Sequence, residues 1–273
     1  MFEKAATIFI QMKHFKSAEA LIDKIKSPKL LQLLARMKEA EKLYKDAESA
    51  YELAGDWESV IRINLKYLDN PIKARDILML RCKTESAALM MSDYYESKGK
   101  KKETIEYKLI AKRFEEAFTI AQSYNEMDTY AEFFMKDNKN IEEFKKIAQY
   151  YEGKNMFGKS GLFYEKSGNY QKALRMYIKG MNDEYLEKAV EMVGNAKDNT
   201  LINELIEYFL TSSFENGPHY LTKLYVLLGN YKQACDIAIN LAAQVNLTLK
   251  SFLLKNSFYV KEFFTKILIK NFI

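Results

Sequence analysis

The sequence contains few residues that break helices. It has only 10 glycines and 3 prolines among 273 residues, and the apolar-polar alternation typical of strands is rare. Leucine, lysine, glutamate, alanine, methionine and tyrosine dominate instead. Because sheets and barrels need frequent turn residues, the scarcity of glycine and proline argues against them. The composition therefore predicts an essentially all-helical protein.

Residues suited to chemistry are equally scarce. Cys82 and Cys235 lie far apart, and neither has a cysteine or histidine at metal-ligand spacing. His14 and His219 have no acid or nucleophile placed beside them in a catalytic pattern. The sequence also lacks a phosphate-binding glycine loop, a nucleophile elbow and a zinc-peptidase motif. We expect no catalytic residues, no cofactor, no metal, no small-molecule substrate and no enzyme activity.

Long apolar runs and a signal peptide are absent from this sequence. No uncharged apolar run reaches the about 18 residues that a membrane-spanning helix needs, and the first residues lack the basic start and apolar core of a secretory signal. Two isolated cysteines agree with a reducing compartment. We expect a cytosolic protein in which both cysteines are small buried hydrophobic residues.

Positive charge is concentrated at one end. The formal net charge is +5, but residues 246–273 hold five lysines and a single glutamate, so the rest of the chain is nearly neutral. A helical repeat that binds RNA needs a continuous basic stripe. The rest of the chain offers only the local run 98–102, where a solvated corner is favoured over a phosphate site. We expect no nucleic-acid partner, and an RNA-binding repeat stays a disfavoured alternative.

One stretch of sequence occurs twice. Residues 44–60 and 157–173 each place an aromatic residue, a small residue and a Tyr-Glu pair before a glycine, an Asp or Asn, and a second aromatic residue. That second aromatic residue is Trp57 in the first copy and Tyr170 in the second, and we expect the two to be equivalent wedges between helices. Self-similarity of this kind is typical of helical repeat arrays.

The spacing within each copy predicts a helix, a corner and another helix. Aromatic and small residues recur three and four apart, which lines one helix face for close packing. Gly55 stands where a helix needs a left-handed C-cap, and Asp56 can act as N-cap of the next helix. Gly168 and Asn169 occupy the same places in the second copy.

These patterns predict an all-α, TPR-like α-solenoid, a right-handed stack of antiparallel helix pairs. Residues 1–245 form the predicted solenoid, and 246–273 form a divergent apolar, lysine-rich C-terminal helix or cap, with a membrane-surface helix as the alternative. The predicted helices are 2–12, 15–26, 28–42, 44–54, 57–68, 71–81, 84–98, 101–111, 114–124, 127–136, 141–153, 156–167, 170–179, 182–195, 199–212, 217–228 and 231–245.

Several short segments also occur in a recognisable order. They are residues 27–29, 38–41, 44–52, 57–63, 68–74, 116–122 and 193–198. In order and spacing they resemble the helical-repeat region of the WD-repeat subunits of intraflagellar transport complex A, over roughly residues 1–245. Sibling transport subunits and vesicle-coat proteins share the propeller-plus-solenoid plan, so these motifs alone do not separate them.

The resemblance implies a non-enzymatic scaffold that acts in retrograde ciliary transport and in the entry of membrane proteins into cilia. It implies other complex A subunits and ciliary membrane-protein cargo adaptors as partners, and a location in the cytoplasm and at the basal body and axoneme of the cilium. Such subunits carry WD-repeat propellers before the solenoid and a cysteine-rich zinc-binding end after it. This chain has neither, so we expect a fragment. The alternative is a coat-type or general adaptor α-solenoid in vesicle trafficking.

Overall fold

The computed structural model describes residues 2–25, 27–136, 140–211 and 216–244. The chain divides into two compact units, residues 1–137 and 138–273. Throughout the described ranges the regular structure is helical, which confirms the predicted all-α, TPR-like class. The predicted terminal cap, residues 246–273, lies outside the described residues.

The first unit is a series of short helices joined by tight corners. Each helix packs against its neighbours in sequence, and α5 also packs against α7. The helices are α1 (Phe2–Gln11), α2 (Phe15–Ile25), α3 (Pro28–Ala40), α4 (Tyr44–Ala54), α5 (Trp57–Lys66), α6 (Pro71–Ile77), α7 (Glu85–Ser97), α8 (Lys101–Ile110), α9 (Phe114–Tyr124) and α10 (Met127–Met135).

The corner between α4 and α5 forms as the sequence predicts. Gly55 is left-handed, with φ of 73°, and its N–H donates to the Glu52 carbonyl. The Asp56 carboxylate accepts from the N–H of Ser59 at 3.2 Å and so caps α5. A glycine adopts this φ without the steric cost of a Cβ atom. The two residues therefore end one helix and begin the next, which makes the corner very short.

Other corners use the same backbone conformation without glycine. The left-handed region is also occupied by lysine, asparagine, aspartate and methionine, at Lys13, Lys42, Asp69, Lys83, Lys112, Asn125, Asn155, Met181 and Lys197. A non-glycine residue there pays a steric cost. Packing of the flanking helices must offset that cost, so the corner geometry depends on the helix faces as well as on the corner residue.

Helix α6 continues into a π-helical segment, Leu78–Cys82. The N–H of Lys83 donates to the Leu78 carbonyl at 3.0 Å, the five-residue closure of a π turn. The sequence predicted one α-helix over 71–81, so the π segment is a departure from that prediction. The wider turn leaves Leu80 76% exposed while Leu78 is buried.

Small residues let the helices of the first unit approach closely. Ala47 and Ala50 of α4 are buried beside Tyr51, in one cluster with Val60 and Ile61 of α5. A second cluster joins α1, α2 and α3. Burial of this apolar surface stabilises the helices, because helices this short are marginal in isolation.

The second unit repeats the pattern. Helix α11 packs on α12, α12 on α13, and α13 on α14, while α14 and α17 both pack on α16. Its helices are α11 (Ile141–Gly153), α12 (Phe157–Lys166), α13 (Tyr170–Gly180), α14 (Asp183–Ala196), α15 (Asn199–Thr211), α16 (Gly217–Leu227) and α17 (Tyr231–Gln244). Gly168 has φ of 75°, and Asn169 caps α13 by accepting from the N–H of Lys172. Both caps of the second copy are thus confirmed.

The two aromatic residues predicted as equivalent wedges differ. Trp57 is partly buried against the core of the first unit, and the guanidinium of Arg81 lies 5.8 Å from its ring. Tyr170 is 43% exposed. It lines an open groove of about 510 Å³ together with Lys145 and Asp198, so it is not wedged between helices. The predicted equivalence is wrong for Tyr170.

Candidate interaction surface

In both copies of the repeated segment, the hydroxyl of a buried tyrosine donates a hydrogen bond to a glutamate. The hydroxyl of Tyr164 donates to Glu152 at 2.6 Å, and the hydroxyl of Tyr51 donates to Glu39 at 3.1 Å. Both tyrosines are 1% exposed. Each bond joins a helix to the one before it and spans 12 residues, so the same contact fixes the register of a helix pair in both copies.

Burial keeps two tyrosines of the second unit protonated: Tyr164, and Tyr177, whose hydroxyl donates to Glu165 at 2.8 Å. Desolvation, together with the hydrogen bond to Glu152, raises the pKa of Tyr164, and desolvation with the bond to Glu165 raises the pKa of Tyr177. A phenol with a raised pKa stays neutral near pH 7 and donates a hydrogen bond. These groups therefore act as structural donors rather than as acids or bases in a reaction.

An ion pair links α3 to α5 in the first unit. The two terminal nitrogens of Arg62 donate to the two oxygens of Glu39, at 2.5 and 2.8 Å. The hydrogen bond from Arg62 lowers the pKa of Glu39 despite the opposing effect of burial. A bidentate pair of this kind fixes orientation as well as charge. Sequence reasoning missed it, because Glu39 and Arg62 lie 23 residues apart.

A second polar group is buried between α4, α5 and α6. Glu48 accepts from the side-chain nitrogen of Asn64 at 2.5 Å, and the Lys73 ammonium lies 2.7 Å from Glu48 and 2.8 Å from Glu52. Asn64 is fully buried, and its side-chain oxygen has no partner among the described residues. Asn64 and Glu48 form the buried part of this group, while Lys73 and Glu52 lie at its partly exposed edge, so the group links three consecutive helices.

The lysines at the corner between α7 and α8 contact other residues of the first unit. Lys98 lies 3.3 Å from Asp69, and Lys102 lies 3.7 Å from Glu126. The Lys101 ammonium lies 4.5 Å from the centre of the Tyr124 ring, a cation–π distance. These contacts favour the structural reading of the run over a phosphate-binding site.

Histidine and cysteine are scarce, and each residue has its own surroundings. Both histidines are exposed: His14 lies at the corner before α2, and His219 lies in the first turn of α16. Cys82 and Cys235 are free thiols. Both are only partly buried, whereas the sequence predicted small buried residues, and burial raises the pKa of Cys235. Across the described ranges, no group of three His, Cys, Asp or Glu residues has a metal-binding arrangement. Within the same ranges no helix has the length and apolar character needed to cross a bilayer.

The surface of the first unit has a groove between α2, α3 and α4, with a volume of about 300 Å³. Its floor is apolar, and acidic residues stand on its rim. The lining residues are Glu19, Ile22, Asp23, Leu31, Leu34, Lys38, Asp46, Ser49, Ala50 and Leu53. A different groove of about 360 Å³ between α5 and α7 is lined by the cations Arg62 and Lys66 and by the acid Asp93. Both grooves are open at the surface and combine apolar with charged lining residues.

Comparison with known proteins identifies the relatives of this chain. Human WD repeat-containing protein 19 (Homo sapiens) is 34% identical over 248 residues, which cover 89% of this chain, and the mouse protein of that name (Mus musculus) has the same identity and coverage. WD repeat-containing protein dyf-2 of Caenorhabditis elegans is 28% identical over 243 residues, or 88% of this chain. The resemblance drawn from the short segments, to WD repeat-containing protein 19, is confirmed.

The chain corresponds to a small part of these relatives. Its aligned residues span 18% of the human and mouse proteins and 17% of the nematode protein. Residues 3–268 match the model of a TPR domain that is named after intraflagellar transport proteins 140 and 172. The match covers nearly the whole chain, and the short helices joined by tight corners agree with a TPR domain. The chain therefore belongs to this TPR domain family of the intraflagellar transport proteins.

Proposed function

We propose that this chain is a non-enzymatic scaffold segment of intraflagellar transport complex A. It would act through protein-protein contacts in retrograde ciliary transport and in the entry of membrane proteins into cilia. The observation that carries the proposal is the alignment of 89% of the chain with WD repeat-containing protein 19. The family match over residues 3–268 supports the same reading.

The architecture supports a role in binding proteins. A helical repeat stack exposes many side chains on rigid helices, and its terminal repeats leave surface that further repeats or partners can cover. The most buried polar side chains, such as Glu48 and Asn64, hydrogen-bond to each other. The proposed partners are other complex A subunits and ciliary membrane-protein cargo adaptors. The proposed location is the cytoplasm and the cilium, at the basal body and axoneme.

A chimera tests the retrograde role. The segment of mouse WD repeat-containing protein 19 that aligns with this chain is replaced by the chain, and the chimera is expressed in cells that lack the mouse protein. We expect complex A to return from the ciliary tip and membrane proteins to enter the cilium. A matched control carries a vesicle-coat helical repeat of equal length. A chimera that is expressed normally but leaves complex A at the tip would contradict the proposal.

A further inference from the structure

The groove between α2, α3 and α4 combines an apolar floor with an acidic rim. Ile22, Leu34 and Ala50 form the floor and are 1%, 2% and 4% exposed. Leu53 also lines the groove, yet it is 71% exposed. An exposed leucine beside a recessed apolar floor leaves apolar surface that the described part of the chain does not cover.

The charge of the rim is negative. Asp23 on α2 and Asp46 on α4 are exposed and form no ion pair among the described residues. Glu19 is paired with Lys38, a cation that lines the groove and whose side chain is 8% exposed. Lys38 is thus neutralised in place, and within the described ranges the two aspartates keep their charge without a counter-ion.

We propose that this groove binds a basic amphipathic helix of a partner protein. A leucine-like side chain of the partner would pack against the exposed Leu53 and the partly buried Leu31 at the mouth of the groove, and flanking lysine or arginine residues would face Asp23 and Asp46. The volume of about 300 Å³ lies at the lower limit for small-molecule pockets. It fits one or two side chains of a helix laid in a groove, the mode in which apolar anchors recur every three or four residues.

The groove between α5 and α7 differs from this one in its charges. Between α5 and α7 the lining cation Arg62 is already bound to Glu39, and the lining Tyr94 donates to Asp69 at 2.7 Å. Its charges without an ion pair among the described residues, Lys66 and Asp93, are of opposite sign, so this groove favours neither a cationic nor an anionic partner. The groove at Asp23 and Asp46 is lined by two exposed carboxylates that form no ion pair with other described residues, so electrostatic complementarity favours a cationic partner there.

The test uses the full chain and two synthetic helical peptides of about 18 residues, or five turns. One peptide carries leucines on one face and lysines on both flanks, and the other has each lysine replaced by glutamate. We expect saturable binding of the lysine peptide, measured by fluorescence anisotropy, and none of the glutamate peptide. Binding should weaken as salt rises, because the carboxylates are exposed.

Variants locate the binding. The double variant Asp23→Asn, Asp46→Asn should weaken binding about fivefold, the size that two exposed ion pairs supply, and Leu53→Ser should weaken it further. Matched controls are Glu96→Gln, an exposed acid outside the grooves, and Leu80→Ser, which is 76% exposed. Equal affinity in the groove variants and the controls, equal binding of both peptides, or no binding of the lysine peptide would each overturn the proposal.

The inference rests on the proposed function as a scaffold, yet the two can fail separately. Recovery of complex A subunits by the unaltered chain tests the scaffold role and does not require the groove. If those subunits are recovered equally by the unaltered chain and the Asp23→Asn, Asp46→Asn variant while the peptide does not bind, only the groove inference is wrong.

Discussion

The ring of Tyr177 lies directly against the backbone of Gly161. A Cβ atom at Gly161 would stand 2.6 Å from the Cε1 atom of the ring, a separation that real Cβ atoms do not adopt. In the same register of the first copy, the corresponding residues are Glu48 and Asn64, which share a hydrogen bond of 2.5 Å. A small-large apolar pair and a polar pair thus occupy equivalent positions between consecutive helices.

A side chain at Gly161 should destabilise the second unit. Gly161→Ala forces Cβ into the Tyr177 ring, and overpacking of this kind costs about 1–3 kcal/mol. The control is Gly153→Ala, where nothing lies within 4 Å of the added atom and alanine favours the helix. Urea denaturation should show a lower midpoint for Gly161→Ala only. Equal midpoints for the two variants would show that the close contact does not exist.

The Glu48 and Asn64 pair should be replaceable by glycine and tyrosine only when both residues are changed together. Glu48→Gly and Asn64→Tyr should each destabilise the chain, the first by loss of a buried partner and the second by a clash with Glu48. The double variant recreates the Gly161 and Tyr177 pair, so it should be more stable than the two single effects predict, by roughly 0.5–3 kcal/mol. A double-mutant cycle of unfolding free energies measures this coupling. Simple additivity would refute the equivalence.

The left-handed cap at Gly168 should tolerate asparagine better than valine. Its φ is 75°, and nothing lies within 4 Å of an added Cβ, so backbone strain is the cost of substitution and crowding is not. Gly168→Val should cost about 1–2 kcal/mol, while Gly168→Asn should cost less because asparagine visits this region more readily. Thermal melts of both variants compare them. Indistinguishable melting temperatures would contradict the left-handed assignment.

Stability should fall at alkaline pH. The pKa values of Tyr164 and Tyr177 are raised from 10.0 in the folded chain, chiefly by burial. The unfolded chain therefore loses these protons first, so stability is fully present below pH 10 and declines as pH rises from there toward the folded pKa values. Urea midpoints measured from about pH 8 to pH 11 should show the decline. The double variant Tyr164→Phe, Tyr177→Phe should show a shallower one, and an unchanged slope would exclude these groups as its source.

Local signals explain why most of the fold was predictable. Gly55 and Asp56 encode a corner within two residues, and alanines three and four apart mark the packed face, so helix positions follow from short-range pattern. Corners at Lys42 or Asn155 carry no such signal. The π segment after Ile77 likewise depends on packing, because no residue there demands a wider turn.

Contacts between helices were beyond the reach of the sequence pattern. The Tyr-Glu pair is visible as a motif, but the acceptor of Tyr164 lies 12 residues earlier, at Glu152. The groove at Asp23 and Asp46 depends on the spacing of three helices, which a single periodic pattern does not fix. The exposure of Tyr170 has the same origin, since its environment is set by residues of other helices.

The most direct test of the scaffold role is affinity purification of the tagged full chain from ciliated cells, followed by mass spectrometry. The account predicts enrichment of complex A subunits over a matched purification with an unrelated helical repeat protein. Recovery of vesicle-coat proteins in their place would favour the adaptor alternative. A chain recovered as a monomer without any enriched partner would contradict the proposal that this segment works by holding other proteins.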